Sequence, residues 1–160
     1  MTNSIKEKIV KLRINASGKR IIGYVDLFAK DAGTTHPRIS DILNNVEPFL
    51  LIREAEDSAG EERGFQAIPK DSLSYVEALD EPENPAWLCK AGERRRITVE
   101  LREPAATVKG DILVPTDRKL SEVLNDSRRF INVLSAEFVD SVERYRYLAI
   151  NKSHVVALKA

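Results

Sequence analysis

The chain has 160 residues with 25 basic and 25 acidic side chains, a formal net charge of zero, and 42% apolar residues. A protein that neutralises many phosphates carries a basic excess or a basic stripe, so this balance weighs against nucleic acid as the main partner. A single cysteine, Cys89, excludes an intrachain disulfide framework and suits a reducing compartment. No apolar run approaches the roughly 20 residues of a membrane-spanning helix. The segment from Met1 to Glu7 lacks the apolar core of a signal peptide, so a cytoplasmic location of bacterial type is expected.

In chain order, Ile9-Val10-Lys11-Leu12-Arg13-Ile14 alternates apolar and charged residues, the period of a strand with one buried face. Asn15-Ala16-Ser17-Gly18-Lys19 is turn chemistry, and residues 20–28 return as a second strand of a hairpin. Gly23 sits in mid-strand, where a glycine marks a bulge, a sharp bend or the close approach of another backbone. A polar loop over residues 30–37 contains His36.

Next comes Ile39-Ser40-Asp41-Ile42-Leu43-Asn44-Asn45, followed by Phe49. Ile39, Ile42 and Leu43 share one face of a short helix. Ser40 is a candidate cap, and Asn44-Asn45 a candidate left-handed terminus. So short a helix must dock through its apolar face, since it has no stability alone. Ile39, Ile42, Leu43 and Phe49 are therefore expected in the core. Residues 49–56 and 65–68 read as a third and fourth strand, joined by the solvated loop 57–64. Pro69-Lys70-Asp71-Ser72 is a tight turn into a fifth strand, 73–79.

The composition changes over residues 80–95, where Pro82, Pro85 and several acids lie; this is the expected linker. It separates a first unit, 5–79, from a second, 96–160. The organising block recurs as Leu120-Ser121-Glu122-Val123-Leu124-Asn125-Asp126, followed by Phe130, so Leu120, Val123, Leu124 and Phe130 are also expected in the core. An ungapped offset places residues 97–101 on 10–14 and Gly110 on Gly23. Ala149-Ile150-Asn151-Lys152 matches Ala67-Ile68-Pro69-Lys70. The chain thus reads as a duplicated module, mainly β, with one short helix between the second and third strands of each copy.

This order of elements resembles the small SH3-like barrels, and the Sm-like barrel most closely. The resemblance is carried by Ile22-Gly23-Tyr24-Val25, by Lys109-Gly110-Asp111-Ile112, and by the endings at Ile68 and Ile150. It implies two tandem small barrels. Sm-like proteins carry their helix at the N-terminus and read RNA from the loop between strands two and three. Here that loop holds the helix, so RNA binding is not carried over. The repeated block also resembles a bacterial domain family of unknown function read as strand-strand-helix-strand-strand, which implies a fold and no activity.

No catalytic or metal-ligand constellation stands out. His36 and His154 are read as surface histidines without partners for a metal or a nucleophile. Cys89 lacks a guaranteed cationic setting that would make it reactive. Trp87 makes the linker too apolar for a free tether and is a candidate for binding. Lys70 and Lys152 lie at equivalent turns, a repetition that makes them candidate binding residues, although a turn lysine beside Asp71 or Ser153 needs no ligand. Arg94-Arg95-Arg96 resembles the basic run of PilZ barrels, but the second PilZ element is missing, and a solvated linker is the plainer reading. Arg144-Tyr145-Arg146-Tyr147 interleaves cations and aromatics as nucleic-acid grooves do, and also suits a strand with Tyr on one face and Arg on the other. The expected function is a non-enzymatic protein-interaction or scaffold module, without cofactor, that binds another protein or itself. A nucleic-acid or nucleotide binder of Sm-like or PilZ-like type is the alternative.

Overall fold

The alternation at residues 9–14 belongs to a ten-residue strand, β1 (Glu7–Ala16), which pairs with β2 (Lys19–Phe28). The computed structural model describes residues 7–28, 38–56, 62–79 and 92–160. After β2 come a helix (Ile39–Leu43), β3 (Phe49–Glu56), β4 (Glu62–Pro69), a 3-10 turn (Lys70–Ser72) and β5 (Leu73–Ala78). The second half runs β6 (Gly92–Arg102), β7 (Ala105–Pro115), a helix (Leu120–Leu124), β8 (Phe130–Phe138), β9 (Arg144–Asn151), a 3-10 turn (Lys152–His154) and β10 (Val155–Lys159). The protein is mainly β, and each helix lies between the second and third strands of its half.

All ten strands form one open antiparallel sheet in the order β10-β6-β7-β8-β9-β5-β1-β2-β3-β4. The expectation of two closed barrels is not what the strand order shows. To close the first half, β5 would have to pair with β4. It pairs with β9 instead, Tyr75 opposite Ile150 and Val76 opposite Ala149, so the sheet continues from one half into the other. It ends at β4 on one side and at β10 on the other.

Both mid-strand glycines sit at irregularities between the second and third strands. The register shifts between Ile22–Glu56 and Tyr24–Arg53 in the first half, and between Lys109–Glu137 and Asp111–Leu134 in the second. Two residues on the third strand therefore face one glycine, the geometry of a bulge. One of the two has a left-handed backbone in each half: Glu54 at φ 52° and Ser135 at φ 50°. A Cβ on Gly110 would collide with Val133 Cγ1 and come within 3.1 Å of the Leu134 carbonyl oxygen. The ungapped match fails in the first hairpin, however. Leu12 pairs with Gly23, but Ile97 pairs with Gly110, so the second hairpin is two residues longer and Ile97 stands where Leu12 does.

The helices depart from expectation in their caps. Arg38, not Ser40, precedes the first helix, and its backbone N–H donates to Asp41 Oδ2 at 3.0 Å. Asn44 and Asn125 close the helices at φ −97° and −98°, outside the left-handed region. Ile39 and Leu43 are buried as expected, and Ile42 is partly buried. In the second half Val123 and Phe130 are buried, whereas Leu120 and Leu124 are only partly so. Phe49 is a clear correction: expected in the core, it is 47% exposed.

The apolar core forms two clusters that each borrow from the other half. The first joins Leu12, Ile14, Leu43 and Val76 to Phe130, Leu134 and Tyr147. The second gathers Ile97, Val99, Val133 and Ile150 around Tyr75. Among the described residues no helix is long and apolar enough to cross a membrane.

Candidate interaction surface

The two lysines at equivalent turns face inward. Lys70 is fully buried, and its ammonium donates to the Ile42 carbonyl and to Asn45 Oδ1, both at 2.6 Å. Burial, reinforced by the nearby Arg129 charge, lowers its pKa to about 8. Lys152 makes both of its bonds to Asp126, the counterpart of Asn45, at 3.1 Å to the carbonyl and 2.9 Å to Oδ1. Burial pushes the Asp126 carboxyl up, but hydrogen bonds from Arg128 and Lys152 outweigh it and hold the pKa at about 2. Each lysine thus ties a 3-10 turn to the loop that follows its helix. This occupies both ammonium groups with internal acceptors.

The arginine run lies inside β6, paired with β7, and not in a linker. Arg94 is 3.0 Å from Asp111 and donates to Ser135 Oγ at 2.9 Å. Arg96 reaches Asp111 at 3.7 Å and Glu137 at 3.2 Å, and Arg95 pairs with Glu93 at 3.6 Å. Along β9 the tyrosines point in and the arginines out: Tyr145 and Tyr147 are buried, Arg144 and Arg146 exposed. Arg144 shares Glu137 with Arg96, at 3.3 Å. The structure therefore gathers Arg94, Arg96 and Arg144 around two carboxylates, leaving Arg95 and Arg146 apart from that group. Trp87, Cys89 and His36 lie outside the described residues.

His154 sits at the junction of the halves, its Nε2 2.7 Å from the Asp71 carbonyl oxygen. Beside it Asn151 Nδ2 donates to the carbonyls of Lys70 and Leu73, at 3.1 and 2.9 Å. A shallow cleft at the other end of the junction is lined by Tyr75, Phe138, Tyr145, Glu143 and Arg20. Phe138 lies tilted against Tyr75 and edge-on to Tyr145, with centroids 5.1 and 5.6 Å apart. Tyr145 donates to Glu143. Burial and this carboxylate raise the phenol's pKa, and the same hydrogen bond lowers that of the carboxyl. Both groups are thereby moved away from neutrality, where general acids and bases work best. Among the described residues no group of three or more His, Cys, Asp or Glu side chains could hold a metal ion.

A contiguous exposed apolar patch, which includes two aromatic rings, lies at the β4 end of the sheet. Phe49 and Leu51 on β3 and Phe65 on β4, the last two 52% and 67% exposed, border a groove with Tyr24, Ile42 and Arg53. Beyond them the outer edge of β4 pairs with no strand among the described residues. At the opposite end Val156 on β10 is 63% exposed. Sequence reasoning missed this surface because Phe49 sits in the same motif as Phe130, and only the strand order tells the two apart. No protein family, curated protein or solved structure matches the chain.

Proposed function

We propose that the protein is a non-enzymatic interaction or scaffold module, built from two SH3-like or Sm-like units in tandem, that works through its open sheet edges in the cytoplasm. The observation that carries this reading is the apolar patch of Phe49, Leu51 and Phe65 beside the edge of β4, which pairs with no strand among the described residues. Unpaired backbone donors and acceptors next to apolar side chains are what strand addition requires, and native proteins ordinarily blunt such an edge with charge. Exposed contiguous apolar surface marks contact sites.

The nucleic-acid alternative has less support. Asp111 and Glu137 partly neutralise Arg94, Arg96 and Arg144, and Lys70 is buried. The test is affinity capture from the native cell with the wild-type chain and with Phe65→Asp, alongside RNA and DNA binding at low and high salt. Loss of a captured protein in Phe65→Asp, with no nucleic-acid binding, is the expected result. Salt-sensitive nucleic-acid binding that disappears in Arg144→Ala plus Arg146→Ala would overturn the reading, because phosphate contacts carry that salt dependence.

A further inference from the structure

We infer that the chain assembles head to tail with further copies of itself: the β4 edge of one molecule pairs with the β10 edge of the next, repeating between chains the β5–β9 junction found within one. This inference deepens the interaction reading above and rests on it, naming the partner as a second copy.

The two 3-10 turns, Lys70–Ser72 and Lys152–His154, set the correspondence. β4 and β5 flank the first turn as β9 and β10 flank the second. The pairings agree, Phe49 with Pro69 against Phe130 with Asn151, and Leu50 with Ile68 against Ile131 with Ile150. Inside the chain, a fifth strand (β5) lies against a fourth strand (β9) of the other half. One fourth strand, β4, and one fifth strand, β10, are left over, and they are the two ends of the sheet. Transferring the internal register pairs Ala157 with Ile68 and Leu158 with Ala67. Pro69, which lacks a backbone donor, falls outside those two pairs.

Burial gives an independent argument. Phe130 and Tyr147, on β8 and β9, are each 1% exposed because they pack into the first cluster. Their counterparts Phe49 and Phe65 are the exposed aromatics of the β4 end. On the receiving side the same asymmetry recurs. Leu43 and Val76 are fully buried under the second half, whereas their counterparts Leu124 and Leu158 are only partly buried. Ser74 is buried at the internal junction, and Val156 holds its place on exposed β10. Aromatic side chains left bare at one end thus match incompletely covered leucines at the other.

A polar contact follows the same correspondence. Within the chain, Asn44 Oδ1 accepts from the Phe130 backbone N–H at 2.8 Å. The counterparts are Asn125 and the Phe49 N–H. Asn125 turns its Nδ2 back to the Ser121 carbonyl, which leaves its Oδ1 for that donor. Because the two surfaces differ, the contact is heterologous and propagates, to a ring where the rotation closes and to a filament where it does not.

The test is sedimentation velocity on the full chain over a concentration series, with circular dichroism as a check of fold. Wild type is expected to sediment as an assembly. Phe65→Asp and Val156→Asp, both changes of exposed side chains, are each expected to sediment as monomers. Their equimolar mixture is expected to give a 1:1 dimer, since one variant keeps the β10 edge and the other the β4 edge. Arginine at the same positions gives a second pair with the same expectation, should aspartate disturb the fold. A monomeric wild type, a mixture that stays monomeric, or assembly untouched by either substitution would overturn the inference. A monomeric wild type that still captures a cellular protein through Phe65 overturns self-assembly alone and leaves the interaction reading standing. A chain that neither assembles nor captures anything through β4 overturns both.

Discussion

Lys70 Nζ lies 2.6 Å from Asn45 Oδ1, a neutral acceptor, where its counterpart Lys152 meets the carboxylate of Asp126 at 2.9 Å. A buried ammonium without a hydrogen-bonded carboxylate is held at a cost: burial and the nearby Arg129 charge, only partly offset by Glu47, lower its pKa from 10.5 to about 8. Between those values the unfolded chain binds the proton more tightly, so stability rises as pH rises through that interval. The penalty is full below pH 8 and gone near pH 10.5. Urea unfolding at pH 7 to 10 should show the rise in wild type, and Asn45→Asp should abolish it by giving the ammonium a counter-charge.

Asp126 has the opposite sign. Its lowered pKa means that its stabilisation is fully present above the unfolded value of 3.8 and is lost as pH falls through about 2. Acid titration of thermal stability should therefore show a loss in that window that is missing in Asp126→Asn. At neutral pH the substitution should cost roughly 1.5–3 kcal/mol, the range for hydrogen bonds to charged groups.

Leu43→Ala should destabilise by roughly 2–5 kcal/mol, as truncation of a buried leucine does. Leu124→Ala should cost less in the monomer, because Leu124 is only partly covered. Denaturant melts of both variants check the order. Equal costs in the monomer would remove the burial asymmetry between the halves.

Gly110→Ala should destabilise by roughly 1–3 kcal/mol, the range for overpacking. The added methyl meets Val133 Cγ1 and, across the bulge, the Ala136 Cα at 3.3 Å. Backbone cannot yield as the far end of a flexible side chain does. Thermal melts measure the loss, and an unchanged melting temperature would show that the strands can part there freely.

Glu54→Gly should stabilise by up to about 1 kcal/mol, since a left-handed backbone costs an L residue roughly 1–2 kcal/mol that glycine avoids. The backbone at Glu54 has φ 52°, and the greater freedom of glycine in the unfolded chain offsets part of the gain. Chemical denaturation of the variant against wild type reads the difference.

Much of the local order is legible because it rests on neighbours in sequence. The alternation at residues 9–14, the i, i+3, i+4 spacing of Ile39, Ile42 and Leu43, and the glycines at 23 and 110 each announce their local structure. What lies between the halves is not legible in this way. Phe49 and Phe130 sit in the same motif with opposite burial, because one borders an open end and the other a junction formed by distant strands. Lys70 reads only as a turn residue and candidate binding cation, since lysine is almost never fully buried unless paired, and its partners lie 25 and 28 residues earlier in the chain. Arg94, Arg95 and Arg96 read as linker because nothing local distinguishes a charged strand edge from a solvated tether.

The exchange of side chains across β5 and β9 has a consequence for how the molecule comes apart. Phe130, Leu134 and Tyr147 complete the cluster of the first half, and Tyr75 enters that of the second. Neither half owns a whole core, so melting one strips the other of its filling. Thermal unfolding is accordingly expected as a single cooperative event despite two hydrophobic centres, with one calorimetric transition as its sign. A chain severed between residues 79 and 92 would regain its structure only when both pieces are present to complete each other.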